Sequence, residues 1–572
     1  EKYENIQVKE KEVFNVLWIV AEDLSPDLSC YNNIPIATKN IDKIAREGMV
    51  FTNAYSTSPY GYPSRAAIFT GTFPHTMGLQ HVNNGRVEPR IIPPAEIKIF
   101  TEYLRANGYY CSLSGNIDVP FEDASTTWDY IASSKENNQY RHIWENRPED
   151  KPFFSTIYLS HTQEKYNLPA SAMKKAFATD SPELSAKNIE SITDSIINSD
   201  VYKNVKIDLK KIKLPDYLPN NNRVKEDYAR MYLNIKRLDN EVGNILQQLE
   251  NDKLEKNTIV FFFSENGRGL PGGKRWLYEG GIQVPLIIKM PGVTYGGEKN
   301  DQLVSLVDLA PTLLVNLGIR IPDYMQGLVF LGKLKNEPRE FIFAARDRIG
   351  EANEKLRCIR SDKFKYIRNF TQEIPFEEPI EILEFFPTTS VMKRIAKTQD
   401  IDENLEKFIS KKREEELYDL RNDPNELYNL VERDYFIEDL NLMRKAYEKW
   451  EQNIGGFINI SESEMLKAMT PDEGYELITE VPEFSKEGGK LTSPTSLDIS
   501  CPTAGASIAY AILPDGAYTI LPNGQPDIQW QIYTQPVTID QNCTILSKAV
   551  RYGFEESPIK SVSFSLVAEA KL

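Results

Sequence analysis

Two pairs of oxygen-bearing side chains stand at the ends of apolar runs. Glu22 and Asp23 follow the run 13–20, and Glu265 and Asn266 follow the run 258–263. Carboxylates with an amide suit a hard cation, calcium or magnesium, rather than zinc. Any one such residue alone is better read as a strand cap or the start of a turn. A pair at each of two strand ends, beside a loop built for an anion, favours a site. That loop is the stretch 56–71. After Pro63 the run 64–69 has the pattern of a helix start, with Ser64 at the end where unpaired N–H groups attract an anion. Arg65 adds a fixed fork of donors for a tetrahedral oxyanion. Lys274 and Arg275, taken alone, read as an ordinary solvated basic pair. Among four histidines, His81 and His161 lie in loops, His161 directly after an apolar run, and an imidazole there can move a proton near neutral pH. His75 is expected to orient its own loop, and His142 to lie at the surface.

These residues need a scaffold that brings strand ends together. The runs 13–20, 152–159, 258–263 and 284–288 are continuous and apolar, the pattern of strands buried on both faces of a parallel sheet. Helical patterns lie between them. Residues 41–48 and 99–108 each end in glycine, and 226–250 carries Met231, Ile235, Leu238, Val242, Ile245 and Leu249 on one stripe. Alternating strands and helices predict an open, mostly parallel α/β sheet with helices on both faces, whose carboxyl-terminal strand ends share one edge. We place this domain at 1–350. A smaller α+β subdomain is expected at 351–455, with a hairpin turning at 361–363 and a helix over 435–450. A polar, glycine-containing linker follows at 456–490, and short β runs with Pro and Gly turns predict a sandwich-like domain at 491–572.

The chain of 572 residues is too long for one core, and its 41% hydrophobic and 26% charged residues are ordinary for a globular protein. A net charge of -16 argues against nucleic acid or an anionic membrane as partner. Five scattered cysteines read as buried free thiols, and no stretch is apolar enough to span a membrane. The first residue is Glu1, which fits removal of a leader and a periplasmic, cell-surface or secreted location.

Residues 61–71, Gly-Tyr-Pro-Ser-Arg-Ala-Ala-Ile-Phe-Thr-Gly, resemble the signature of the type I sulfatases: Cys or Ser, any residue, Pro-Ser-Arg, then Thr-Gly. Segments 235–243, 264–285, 306–312 and 414–430 resemble further family segments in the same order, and the likeness spans about 13–455. It implies an alkaline phosphatase-like fold, a calcium ion held by Glu22, Asp23, Glu265 and Asn266, and a sulfated glycan as substrate. The C-terminal β-domain resembles that of bacterial enzymes directed at polysaccharides. In the family the Cys or Ser becomes formylglycine, whose hydrated aldehyde attacks sulfur. By position, Arg65 and Lys274 would contact the sulfate, and His81 and His161 would surround it, with His161 assisting the leaving alcohol.

Three positions depart from that pattern. Gly61 stands where the nucleophile belongs, Glu265 where aspartate is usual, and Asn116 where a lysine would touch the sulfate. Loss of one preorganised charge of that kind commonly costs about 3 kcal/mol. Gly61 can stand for formylglycine, for an inactivating substitution or for a natural pseudoenzyme. The sequence therefore supports a sulfuric ester hydrolase acting on a glycan, and alternatively a non-catalytic glycan-binding or assembly protein. Phosphate-ester hydrolysis is a weaker third reading, since it too needs a nucleophile at 61.

Overall fold

The structure is a computed structural model that describes residues 13–32, 34–82, 91–115, 117–119, 121, 124–132, 143–180, 185–293, 295–350, 352–372, 381–398, 411–470, 476–514, 519–520 and 526–567. Eight strands make the central sheet: β1 (Asn15–Ala21), β2 (Met49–Tyr55), β3 (Tyr110–Ser114), β4 (Tyr130–Ala132), β5 (Phe153–Leu159), β6 (Thr258–Ser264), β7 (Gln283–Lys289) and β8 (Lys299–Ser305). Their order is β4-β3-β5-β1-β6-β7-β2-β8. β7 runs antiparallel to both β6 and β2, whereas the other neighbours pair in parallel. This corrects the expectation for the run 284–288, because a short helix, Glu279–Ile282, reverses the chain just before β7. Continuous apolarity reports burial on both faces and carries no strand direction.

The sheet divides two apolar cores. On β1, Leu17, Ile19 and Ala21 face one core while Val16, Trp18 and Val20 face the other, as the two-residue period of a strand requires. Trp18 lies within 6 Å, centroid to centroid, of Phe69, Phe100, Phe154, Phe261 and Phe263. The helix Asn222–Asn251 buries the expected stripe against the first core, and its terminal residues extend beyond the 226–250 predicted. Helix α1 (Lys39–Glu47) lies beside it, with Asp239 accepting from the backbone N–H of Asn40 and Ile41.

A second, antiparallel sheet has the order β12-β11-β10-β9, from β9 (Ile342–Arg346), β10 (Leu356–Arg360), β11 (Phe364–Asn369) and β12 (Glu415–Asp419). The Ser361 turn closes the expected hairpin through its N–H and hydroxyl on the Phe364 carbonyl, and the helix Ile437–Ile454 covers it. The stretch expected as a linker carries a helix, Glu462–Met469, started by a capping box between Ser461 and Glu464. Glu462 pairs with Arg348, and Met465 and Met469 sit on Gly78. Polar composition concealed a short helix whose apolar side is two methionines.

The last β-region forms a five-stranded sheet facing shorter strands. Leu497, Ile499, Val537 and Ile539 pack there against Cys543, Ile545, Val562 and Phe564. Strands at Glu483–Phe484 and Gly489–Leu491 belong to it, so this unit begins before residue 491. All five cysteines are free; Cys111, Cys358 and Cys543 are buried, whereas Cys30 and Cys501 are half-buried.

Candidate active site

Because β2 runs parallel to β1, β3, β5 and β6, the carboxyl ends of five strands open on one edge, where open α/β sheets bind ligands. β1 delivers Glu22 and Asp23, β6 delivers Glu265 and Asn266, and β5 delivers the turn from His161 to Glu164. β2 leads into helix α2 (Gly61–Thr70). The β1 and β6 ends are stitched together by Ser264, whose hydroxyl donates to the Ala21 carbonyl and accepts from the Leu24 N–H.

Helix α2 begins at Gly61, three residues earlier than expected. Proline is tolerated in a first turn, where its missing N–H has no helical partner in any case. Ser64 is therefore inside the helix, and its hydroxyl donates to the Glu265 carbonyl at 2.6 Å. The helix terminus belongs to position 61. A Cβ built on Gly61 would lie 2.6 Å from both Arg65 Nη1 and Glu265 Oε1, the movable ends of two long side chains. Any side chain at 61 thus enters the charged cluster directly.

That cluster is buried and dense. Arg65 Nη1 donates to both oxygens of Glu265 at 3.0 and 3.1 Å, and Nη2 donates to Asp118 at 3.1 Å, which leaves Nε without a partner. Lys274 donates to Asp23 at 3.0 Å and lies 3.3 Å from Glu164, and Arg275 grips both Glu164 oxygens. Tyr60 lies beneath Lys274 and Arg275, 4.8 and 5.5 Å from its ring centre. Arg275 adopts a positive φ of 79°, in the left-handed region, and its N–H reaches the Pro59 carbonyl at 2.8 Å. Lys274 and Arg275 are 7% and 4% exposed. They are structural and electrostatic members of the site rather than a solvated pair.

The carboxylates outnumber what the cations neutralise. Burial, then Glu265 and Asp23, push Glu22 up to about 7. Burial likewise raises Glu265, although Arg65 opposes it. Burial alone would lower Arg65 and Lys274, yet Glu265 and Asp118 hold Arg65, and Asp23 and Glu164 hold Lys274, above their ordinary values. Among the described residues, no three His, Cys, Asp or Glu side chains are gathered as a metal-ligand set. The four expected ligands do meet at one edge, but Asp23 accepts from Asn266 at 2.9 Å and from Lys274, and Glu265 faces Arg65. Charged side chains lie between oxygens that sequence alone could only place near one another.

His161 sits in the turn after β5 and is pushed down to about 3 by burial and Arg237, so it is neutral at pH 7. Its Nδ1 has no hydrogen-bond partner. His81 lies apart from the cluster. Burial lowers it, and the charges acting on it are Asp347, Glu462, Arg348 and Arg357. The following residue, Val82, pairs with Ile349, which draws His81 toward the second sheet. His75 is bound to Asp347 at 2.8 Å, in keeping with an orienting role in its loop. Asn116 and His142 lie outside the described residues. The sequence reading missed Tyr60, Asp118 and Glu164. Glu164 had a signal, since it stands three residues after His161 at the same strand end; Asp118 lacked one.

A strand-edge cluster of carboxylates, Arg and Lys surrounds the start of a buried helix, at the edge where open α/β sheets bind ligands. Comparison with known proteins gives the family. Residues 14–319 match the sulfatase family, and residues 272–378 match the C-terminal region of N-sulphoglucosamine sulphohydrolase. An ulvan-active sulfatase of Formosa agariphila is 34% identical over 573 residues, covering 96% of this chain and 91% of that protein. The N-sulphoglucosamine sulphohydrolase of Homo sapiens is 25% identical over 76% of this chain and 89% of its own length. Among solved structures, one described as a complex with its substrate D-glucosamine-2-N,6-O-disulfate superposes with a TM-score of 0.54. It covers 81% of this chain and all of that one at 19% identity, a likeness of fold. A 2-O glycosaminoglycan sulfatase also gives 0.54, at 17% identity, over 77% of this chain and 93% of its own. The chain belongs to the sulfatase family.

Proposed function

We propose that this site serves removal of sulfate from a sulfated polysaccharide, with position 61 as the seat of the nucleophile. The observation that carries the reading is the direction of residue 61: a Cβ built there would enter the cluster between Arg65 and Glu265. A Cys or Ser there, converted to formylglycine, would present its hydrated aldehyde to a sulfate held by Arg65 and Lys274. Arg65 offers its unpartnered Nε–H, and Lys274 a charge made secure by Asp23 and Glu164. His161 is a neutral imidazole able to hydrogen-bond the leaving oxygen rather than a preformed acid.

The donor set fits a hard divalent cation, calcium before magnesium. Glu22, Asp23, Glu265 and Asn266 supply oxygen only, Asn266 Oδ1 is buried without a partner, and Glu22 is raised by its acidic neighbours. These residues would hold the ion once Lys274 turns from Asp23 to the substrate. When bound, it supplies Lewis-acid polarisation of the sulfate oxygens.

With glycine at 61 there is no side-chain atom to attack sulfur. The chain with Gly61 keeps the anion-binding groups and binds a sulfated glycan without turning it over. Among the described residues no helix is long and apolar enough to cross a membrane, which fits a periplasmic, cell-surface or secreted protein meeting a polymer outside the cell. The test compares the Gly61 protein with Gly61→Cys made in a host that oxidises the signature cysteine, on a panel of sulfated oligosaccharides. Binding by both and sulfate release by the converted protein alone are expected. Failure of the converted protein to release sulfate from any member, with no binding by either, would overturn the reading.

A further inference from the structure

In the C-terminal β-region, Tyr552 packs on the segment that carries Asp118 to Arg65. Tyr552 is 1% exposed and lies in the same apolar core as Ile117, Val119 and Phe121. Its ring stacks on Phe121 at 4.2 Å with 10° between planes. Its hydroxyl donates to Glu102 at 2.7 Å and accepts from the Ile99 N–H at 3.3 Å. Neighbouring bonds lock the same seam: Ser507 to Glu102 at 2.6 Å, Arg105 to the Trp530 carbonyl at 2.6 Å and Arg551 to the Pro93 carbonyl at 2.7 Å.

Ile117, Val119 and Phe121 are buried in this core, whereas Asp118, between the first two, is exposed. The Asp118 side chain is 64% exposed and carries a φ of 52°, a left-handed conformation with a cost of its own, yet its carboxylate meets Arg65 Nη2 at 3.1 Å. The flanking apolar residues are packed in the core that Tyr552 shares. Arg65 then has Nη1 on Glu265 and Nη2 on Asp118, so the direction of its remaining Nε–H is fixed.

We propose that Tyr552 is a positioning residue for the anion site: by clamping Phe121 it keeps Asp118 on Arg65, so the C-terminal β-region is part of the site's framework rather than a tethered accessory. The proposal rests on the reading of Arg65 as an anion-binding group. Two measurements keep the two ideas separable. Crystal structures of Tyr552→Ala and Tyr552→Phe address the clamp itself, and Ile545→Ala, in the sandwich core, serves as an equally core-disrupting control. Separation of Asp118 from Arg65 in Tyr552→Ala, with the pair kept in Tyr552→Phe and Ile545→Ala, is expected; a pair that survives Tyr552→Ala overturns the proposal. Calorimetry with inorganic sulfate on the full-length folded proteins then reads the coupling. Tyr552→Ala should weaken sulfate about tenfold, and the effect should vanish when Asp118→Ala is already present. An equal loss in both backgrounds would show that Tyr552 acts on sulfate by a route other than Asp118 and would also overturn the proposal. If the parent protein binds no sulfate, the anion-site reading fails while the crystal structures still decide the clamp.

Discussion

Two of the buried charge clusters among the described residues are built to opposite ends. In the first, Asp347 accepts two bonds from Arg357 at 3.0 Å and one from His75 at 2.8 Å. Burial would raise Asp347, but Arg357 and His75 outweigh it and hold it well below the ordinary carboxylate range. In the second, at the strand edge, burial and two acidic neighbours push Glu22 up to about 7. One cluster has its charges matched and holds structure together. The other carries surplus negative charge, which a cation ligand can satisfy, and is the proposed binding site.

The pH behaviour of the two clusters is opposite. Asp347, depressed in the folded state, stabilises above its ordinary value and loses that contribution as pH falls. His75, pushed down to about 4 by burial and then by Arg357, contributes fully above the ordinary imidazole value and loses stability as pH falls toward 4. Glu22, raised in the folded state, is fully stabilising below its ordinary 4.5, and that contribution is lost as pH rises through about 7 unless a cation is bound.

The largest effect is expected from breaking the matched cluster. Asp347→Asn leaves Arg357 buried without its counter-charge and should cost about 3–5 kcal/mol in urea unfolding, equally with calcium or chelator. A calcium-dependent loss would erase the distinction between the clusters. Next comes Glu22→Gln. In chelator at pH 8 it should stabilise the protein by roughly 2 kcal/mol, with no gain at pH 4.5, and in calcium the sign should reverse because a ligand is lost. A smaller change is expected for Lys274→Met, read by calorimetry: sulfate affinity falls about tenfold while calcium affinity rises, since Lys274 no longer occupies Asp23. Ser64→Ala is the mildest. Loss of its bond to the Glu265 carbonyl should cost about 1 kcal/mol of stability and leave the pH profile unchanged.

Much of this arrangement was legible before any coordinates. The apolar runs named β1, β5, β6 and β7, and the acidic residues after β1 and β6 fell on one edge because parallel strands share their carboxyl ends. The start of helix α2 was missed because Pro63 looked like a boundary, although a first turn accepts it. The direction of β7 was missed because burial on two faces leaves the same apolar signature whichever way a strand runs.

Sequence by itself determined the local terms: strand and helix periods, the anion-friendly residues of the signature stretch, and the family to which they belong. It placed a glycine at position 61, where the family signature has Cys or Ser. The tertiary structure alone decided which charges meet. Lys274 reaches Asp23 across 251 positions, Arg65 reaches Glu265 across 200, and Tyr552 reaches Glu102 across 450. Electrostatic energy depends on distance and burial, and neither is written in the order of residues along a chain.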